Sequence, residues 1–240
     1  MGNGLSNARL LIVQTGSTHL HGDYPRWFER ALGHPMPVVR AHAGEKLGPA
    51  LDRTRPDGII VSGSPLSVTE KAPWMLELGQ DLLKAGAAGT PVLGVCFGHQ
   101  LLARAAGGEV VLNPRGREIG TIRVQLTEAG RKDPLFASWA RSPEIEVQST
   151  HLDAVDPLPP GATVLATNEN TAAQAFRLSE TVAGVQFHPE LWAEAMRDLI
   201  ASRSDKLAQE GKDPAALASQ VREVEAGAVL RAFAAQAERS

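Results

Sequence analysis

The sequence contains one cysteine among its 240 residues. A single cysteine cannot form a disulfide within the chain or supply a cysteine-rich zinc site, which excludes a disulfide-stapled secreted fold and a zinc finger. No segment approaches the roughly 18 consecutive apolar residues that a membrane-spanning helix requires. The N-terminal residues also lack the basic and apolar stretches of a secretory signal. We therefore expect a cytoplasmic protein that has no membrane partner.

Basic charge is not in excess either. The 24 Lys and Arg residues are outnumbered by 27 Asp and Glu residues, so the formal net charge is −3. This balance argues against a nucleic-acid partner, because such proteins present a basic face. The two common nucleotide-binding patterns, a GxxxxGKS/T loop and a GxGxxG fingerprint after the first strand, do not occur. The first third of the chain contains four histidines: His19, His21, His34 and His42. They show no metal-ligand spacing, so we expect neither a metal nor a cofactor.

Short apolar runs alternate with amphipathic segments up to residue 108. Runs at 9–13, 57–61 and 91–95 predict buried strands, and helices are expected at 24–32 and 74–87. This alternation predicts an α/β fold with a doubly wound, mostly parallel sheet of the flavodoxin-like type. Later segments are shorter and partly alternating, so we expect antiparallel strands that complete the same core, followed by a helix at 191–203.

The two ends of the chain differ from this pattern. Residues 1–7 are expected to be a disordered leader; Gly2 and Ser6 fit the myristoylation pattern, but that pattern is too short and common to predict lipidation. We expect one domain over residues 8–203 and a helical tail over 204–240 packed on it. The tail has an N-cap at Asp213 followed by proline. Its helical spacing comes from four residues: Leu217, Val221, Val224 and Ala228. The tail is a packing helix or, alternatively, a docking surface for a partner.

Gly94 and Gly98 flank the lone cysteine, Cys96, each at a distance of two residues. A predicted strand precedes Cys96 and a predicted helix follows, which is the strand–turn–helix setting of a nucleophile elbow. Such a turn is tight, and glycine suits positions where side chains would collide. The sulfur would lie at a helix N-terminus, where backbone N–H groups favour the thiolate. The alternative is a buried, inert thiol.

A thiol nucleophile needs a base, and the base needs an orienting group. His188 and Glu190 follow an apolar strand and project to the same face if the chain is extended. A carboxylate beside an imidazole fixes its tautomer and stabilises its charged form. The sequence therefore predicts a triad of Cys96, His188 and Glu190, the alternative being a strand end with solvated polar groups. His99 and His151 are expected to be structural or to face the substrate.

Both segments resemble the signature motifs of one family. Gly-Val-Cys-Phe-Gly-His-Gln at 94–100 and Gly-Val-Gln-Phe-His-Pro-Glu at 184–190 resemble the two signatures of class I glutamine amidotransferases. Residues 61–68 look like the family's oxyanion loop, and residues 149–153 look like its Ser-His-x-Asp segment. The resemblance covers about residues 8–192 and is nearest to stand-alone proteins related to the amidotransferase half of GMP synthetase.

This resemblance implies a mechanism. Cys96 would attack the side-chain amide of glutamine, His188 would protonate the leaving ammonia, and Glu190 would orient His188. The resemblance also implies an oxyanion hole built from three residues: Gly63, Ser64 and Phe97. The amino-acid end of the substrate would be contacted by three more: Gln100, Thr150 and His151. Ser64 stands where the family commonly has glycine, so its backbone donor is expected to survive only if serine tolerates the required φ.

Three functions stay open at this point. The first is a glutaminase that supplies ammonia to a separate synthetase partner, because the sequence shows no nucleotide-activating domain. The second is a stand-alone hydrolase or peptidase acting on another γ-glutamyl amide. The third is a non-catalytic binding protein of the same fold. A complete triad favours an enzyme whose partner is a small-molecule substrate, either glutamine or another γ-glutamyl amide.

Overall fold

The computed structural model describes residues 8–239. The predicted leader at 1–7, with Gly2 and Ser6, lies outside the described residues. The strands of the described part are β1 (Leu10–Gln14), β2 (Val38–Arg40), β3 (Gly58–Val61), β4 (Val92–Val95), β5 (Val110–Leu112), β6 (Glu118–Leu126), β7 (Glu144–His151), β8 (Asp153–Val155), β9 (Thr163–Thr167), β10 (Ala175–Arg177) and β11 (Val182–Val185). The helices are α1 (Tyr24–Leu32), α2 (Leu47–Thr54), α3 (Pro73–Ala87), α4 (Phe97–Ala105), α5 (Glu128–Lys132), α6 (Ala193–Ser202), α7 (Ser204–Gln209), α8 (Pro214–Gln220) and α9 (Ala228–Ala237).

Nine of these strands form one sheet in the order β2-β1-β3-β4-β11-β10-β9-β6-β7. The strands from β2 to β11 are parallel to one another. Their order is that of a flavodoxin-like sheet, with β11 as the fifth parallel strand. The remaining strands, β10, β9, β6 and β7, pair antiparallel. The predicted α/β fold, with antiparallel strands added late in the chain, is confirmed.

The central parallel strands are buried on both faces because helices cover both sides of the sheet. Alternate residues of β1 enter different core clusters: Leu10 and Ile12 pack with Phe28 of α1 and with α9, whereas Leu11 and Val13 pack with α3 and α4. This alternation follows from the two-residue period of a strand. Because these strands are parallel, their carboxyl ends all lie at the same edge of the sheet.

The tail does not form the single run of helix that its spacing predicts. Helix α8 ends at Gln220, and Val221 is extended, with φ −69° and ψ 127°. Here the backbone hydrogen-bonds to side chains of other elements. The Arg222 N–H donates to Thr121 Oγ1 at 2.9 Å, and the Arg222 carbonyl accepts from Gln148 Nε2 at 2.7 Å. These tertiary hydrogen bonds replace the intrahelical ones, so helix resumes only at α9.

Within residues 8–239, no helix is both long and apolar enough to cross a membrane. The same residues contain no group of three or more His, Cys, Asp or Glu side chains that could hold a metal ion.

Helix α9 is an integral part of the core. A Cβ added at Gly58 of β3 would lie 2.8 Å from Ala237 Cβ and 3.3 Å from Phe233 Cζ, so the helix packs directly on the sheet. Phe233 is 2% exposed and belongs to the same cluster as Leu10.

We predict that Phe233→Ala lowers the free energy of unfolding by about 3–5 kcal/mol, because it leaves a cavity between α9 and the sheet. Arg231→Ala, at an exposed position of the same helix, is the matched control and should stay within about 0.5 kcal/mol of wild type. Urea denaturation measures both. Equal stabilities for the two variants would contradict the integral packing of α9.

Candidate active site

Two neighbouring parallel strands bring the predicted nucleophile and base to the same edge of the sheet. Val95 of β4 and Val185 of β11 are register partners. Cys96 follows β4 directly, and its backbone N–H donates to the Val185 carbonyl at 2.9 Å. His188 lies three residues past the end of β11 and is fixed by its backbone N–H, which donates to the Gln148 carbonyl at 2.8 Å. The topology thus accounts for the approach of residues that lie far apart in the chain.

Cys96 occupies a strained turn. Its φ is 51° and its ψ −100°, and it is the N-cap residue of α4. A Cβ on Gly94 would lie 2.5 Å from the carbonyl carbon and oxygen of Gly98, and a Cβ on Gly98 would lie 2.6 Å from the Val61 carbonyl oxygen. Both glycines are therefore needed for the backbone to pass this closely. The turn has the strand–turn–helix geometry expected of a nucleophile elbow.

His188 and Glu190 form a buried pair. The His188 Nδ1 lies 2.7 Å from Glu190 Oε1, and the two residues are only 2% and 3% exposed. The ionised carboxylate accepts from Nδ1–H, which leaves Nε2 as the nitrogen open to reaction. That Nε2 has no hydrogen-bond partner among residues 8–239. A Cβ on Gly63 would lie 2.8 Å from His188 Cε1 and 3.7 Å from Cys96 Cβ, so the two side chains converge on one small space.

The charge of His188 is set by its neighbours. Burial alone lowers the pKa of an imidazole, but the negative charges of Glu190 and Cys96 outweigh burial and raise the pKa of His188 to about 10. Because these two groups favour the imidazolium, His188 carries a proton that it can pass on. His99 shows the opposite case: complete burial against Phe176, at 4.4 Å between ring centroids, lowers its pKa to about 3. His99 is therefore neutral and structural.

The backbone N–H groups of Gly63, Ser64 and Phe97 point to no acceptor within the part of the chain that is described. Among residues 8–239, Ser64 is not one of the non-glycine residues with positive φ, so serine fits there without backbone strain. Its Oγ donates to the Thr15 carbonyl at 3.0 Å and accepts from the Leu66 N–H at 3.1 Å. The serine thus holds the loop in place where a glycine could not.

A cavity of about 470 Å³ opens beside Cys96. It is lined by Ser64, Pro65, Leu66, Ser67, Thr69, Cys96, Phe97, Gln100, Leu112, Arg117, Thr150, His151, Leu152, Asp153, Arg203 and Lys206. The three residues expected to contact substrate all belong to this wall. Gln100 Nε2 donates to the Asp153 carbonyl at 2.9 Å, and the Thr150 carbonyl lies 3.9 Å from Cys96 Sγ. The cavity is therefore the space into which a molecule attacked by the sulfur would fit.

His151 is held by a second carboxylate. Its Nδ1 lies 2.9 Å from the Asp153 carbonyl, and its Nε2 lies 3.0 Å from Glu118 Oε2. The same carboxylate accepts from Gln174 Nε2 and Asn168 Nδ2, each at 2.6 Å. Both ring nitrogens of His151 are thus occupied, and it is not placed to act as a base for Cys96.

Two residues at the site were not predicted from the sequence, Tyr24 and Arg203. Burial, together with the nearby charge of Cys96, raises the pKa of Tyr24, so its hydroxyl keeps its proton. Arg203 follows α6, and its Nη1 donates to Thr150 Oγ1 at 2.5 Å. Tyr24 is the only tyrosine in the chain and follows the loop after β1, which is a signal that sequence reasoning could have used. Arg203 lies among other charged tail residues and has no such signal.

The sequence matches one family over most of its length. The family model described as Glutamine amidotransferase class-I covers residues 30–204. The chain belongs to this family. The predicted family is therefore confirmed.

Individual relatives agree with this assignment. The chain is 35% identical over 196 residues to a glutamine-hydrolysing GMP synthase of Aeropyrum pernix, covering 80% of this chain and 34% of that protein. The chain thus spans about a third of the length of that synthase. It is 35% identical to a glutamine amidotransferase-like protein of Salmonella typhimurium, covering 83% of each.

A third relative carries a different name. Over 148 residues the chain is 40% identical to a gamma-glutamyl-L-1-hydroxyisopropylamide hydrolase of a Pseudomonas species, covering 58% of this chain and 49% of that one. A glutamine amidotransferase structure from Thermotoga maritima superposes with a TM-score of 0.77 at 24% identity, covering 97% of this chain and 99% of that one, which shows the shared fold.

We predict that Gly63→Ala slows alkylation of Cys96 by iodoacetamide about tenfold at pH 7, a cost of ~1.4 kcal/mol. The added methyl would collide with His188 and push the imidazolium away from the sulfur. Gly48→Ala is the matched control, because a Cβ at Gly48 meets nothing within 4 Å. Equal alkylation rates for both variants would contradict the convergence at Gly63.

The raised pKa of His188 has a consequence for stability. A group whose pKa is higher in the folded than in the unfolded state stabilises the folded protein. This contribution is complete at pH values below the unfolded-state pKa, and it is lost as the pH rises through the folded-state pKa. Here the window runs from 6.5 to about 10. We predict that the wild type has a larger free energy of unfolding than His188→Gln, and that this difference decreases as the pH rises across that window. His19→Gln, at an exposed position, controls for loss of an imidazole. A constant difference across the window would contradict the prediction.

Proposed function

We propose that the protein hydrolyses the side-chain amide of glutamine, or of a related γ-glutamyl compound, through a thioester on Cys96. The observation that carries this proposal is the convergence of Cys96 with the buried His188–Glu190 pair at the carboxyl ends of β4 and β11. The cavity beside the sulfur provides room for the substrate. Membership of the class I glutamine amidotransferase family supports the same reaction.

In the first half of the reaction, the Cys96 thiolate attacks the amide carbon and a carbon–sulfur bond forms. The negative charge that develops on the carbonyl oxygen is stabilised by backbone N–H groups of Phe97 and of the Gly63–Ser64 turn. The carbon–nitrogen bond then breaks as the leaving nitrogen takes a proton from His188 Nε2. Ammonia, or the amine of a larger substrate, departs, and the glutamyl group stays on the sulfur.

In the second half, water enters where the amine left. His188, now neutral, takes a proton from that water, and the oxygen attacks the thioester carbon. The carbon–sulfur bond breaks, glutamate is released and the thiolate is restored beside the imidazolium. Glu190 keeps Nδ1 protonated throughout, so that Nε2 exchanges the proton in both halves.

The fate of the released nitrogen separates two candidate functions. The first candidate is a glutaminase that supplies ammonia to a separate acceptor enzyme, which similarity to the GMP synthase supports. The second candidate is a stand-alone γ-glutamyl hydrolase. It is favoured by the size of the cavity, about 470 Å³ beyond the nucleophile, and by similarity to the Pseudomonas hydrolase. Both candidates use the same thioester chemistry.

We predict that Cys96→Ala lowers the release of ammonia from glutamine, and of amine from γ-glutamyl amides, by at least about a thousandfold, because the thioester cannot form. Coupled assays of glutamate and ammonia measure the rates. Mass spectrometry of quenched wild-type protein should show a glutamyl adduct on Cys96. Equal rates for the wild type and Cys96→Ala would refute the proposed function.

A further inference from the structure

The loop that follows β3 carries two of the three proposed oxyanion donors, the backbone N–H groups of Gly63 and Ser64. Neither N–H has an acceptor among residues 8–239. Further along the loop, Pro65 and Leu66 are exposed, so apolar packing does not fix its middle. The direction in which the two donors point is therefore set by polar contacts of the loop.

Thr15 is the residue that meets this loop. The strands β1 and β3 are parallel neighbours, so the chain that leaves β1 runs beside the chain that leaves β3. The Thr15 N–H donates to Ser62 Oγ at 3.1 Å. The Thr15 Oγ1 lies 3.0 Å from the Ser62 carbonyl oxygen and 3.1 Å from the Gly63 carbonyl oxygen. The Thr15 carbonyl accepts from Ser64 Oγ at 3.0 Å, so every polar group of this threonine contacts the loop.

The hydroxyl groups of Thr15 and Ser62 together hold the Gly63 carbonyl. Both side chains are fully buried. The Ser62 Oγ donates to the Gly63 carbonyl at 2.8 Å, and the single proton of Thr15 Oγ1 is shared between the carbonyls of Ser62 and Gly63. Hydrogen bonds in such a buried place are strengthened by the low local dielectric. Two hydroxyls thus turn two successive carbonyls toward the same side of the loop.

The direction of a carbonyl also fixes the direction of the N–H in the same peptide group. These peptide groups are trans and planar, so their C=O and N–H bonds point in opposite directions. Since both carbonyls are held on the Thr15 side, the N–H groups of Gly63 and Ser64 face the opposite side. Successive N–H groups on one side form a concave binding site for negative charge. The nucleophile is close to this turn: a Cβ on Gly63 would lie 3.7 Å from Cys96 Cβ.

We propose that Thr15 and Ser62 are positioning residues for the oxyanion hole, and that their buried hydroxyls aim the two backbone donors at the carbonyl oxygen of the bound amide. This role rests on the proposed thioester chemistry. Neither side chain touches the reacting atoms, and each acts through the Gly63 carbonyl. Preorganised donors stabilise a developing charge because they need no reorganisation when it appears. An oxyanion develops in both halves of the reaction, so a misdirected donor slows whichever half limits turnover.

The test removes each hydroxyl and measures turnover of glutamine, or of the γ-glutamyl amide that the wild type cleaves faster. Ser62→Ala and Thr15→Val should each lower kcat about tenfold or more, with KM within about twofold of wild type, because the affected interaction forms in the transition state. Thr15→Ser keeps the hydroxyl and should hold kcat within about threefold of wild type. Thr54→Val and Ser219→Ala are the matched controls and should keep the wild-type kcat, because their hydroxyls donate to helix carbonyls outside the site.

Alkylation of Cys96 by iodoacetamide gives a second rate with different requirements. This displacement at a saturated carbon forms no oxyanion, so Ser62→Ala and Thr15→Val should react within about twofold of the wild-type rate. A merely structural disturbance around the sulfur would instead slow both turnover and alkylation.

Three outcomes would overturn the proposal. These are an unchanged kcat in both variants, a rise in KM at constant kcat, and equal falls in kcat and in the rate of alkylation. If thermal melting shows that Ser62→Ala does not fold, the comparison of Thr15→Val with Thr15→Ser decides. Failure of the proposed function looks different, because the wild type itself would then release neither ammonia nor amine.

Discussion

The close approach of α4 to the end of β4 is the constraint on which the site depends. Gly94 and Gly98 allow the backbone to reverse within a few residues, and this forces Cys96 into a positive φ that a non-glycine residue rarely adopts. The strain is held by the Cys96 hydrogen bond to the neighbouring strand and by packing on both sides of the sheet. The sulfur is thereby placed at the start of a helix, close to the base that follows the neighbouring strand β11.

Much of this arrangement could be predicted from residue order alone. The buried parallel strands appear as continuous apolar runs, and the glycines around Cys96 indicate the turn. Arg203 could not be predicted, because its contact with Thr150 depends on how the segment after α6 packs against β7, a distance of 53 residues along the chain. The break in the tail helix could not be predicted for a similar reason. Its cause is a pair of hydrogen bonds, one donated by the Arg222 N–H to Thr121 of β6 and one accepted by the Arg222 carbonyl from Gln148 of β7, and neither affects the local periodicity of the sequence.

The structure uses the pairing of histidine with glutamate twice, with opposite effects. In the His188–Glu190 pair the carboxylate meets one ring nitrogen, and the other is left without a partner among the described residues. In the His151–Glu118 pair both nitrogens are occupied. Since reactivity requires an open nitrogen, the first pair suits proton transfer and the second suits rigidity. Residue identity alone does not distinguish them; the neighbours do.

The polar cluster around Glu118 also bears on how the sheet is assembled. Glu118 and His151 are direct cross-strand partners of β6 and β7, and β7 is the last strand of the nine. A slip of one residue would turn every side chain of β7 to the opposite face, taking His151 away from the carboxylate and leaving it buried opposite a mismatched neighbour. The Glu118 carboxylate, which also accepts from Asn168 and Gln174, would then lose its contact with His151. The cluster thus favours one alignment of an outer strand, together with the burial of Ile145 and Val147 on the same strand.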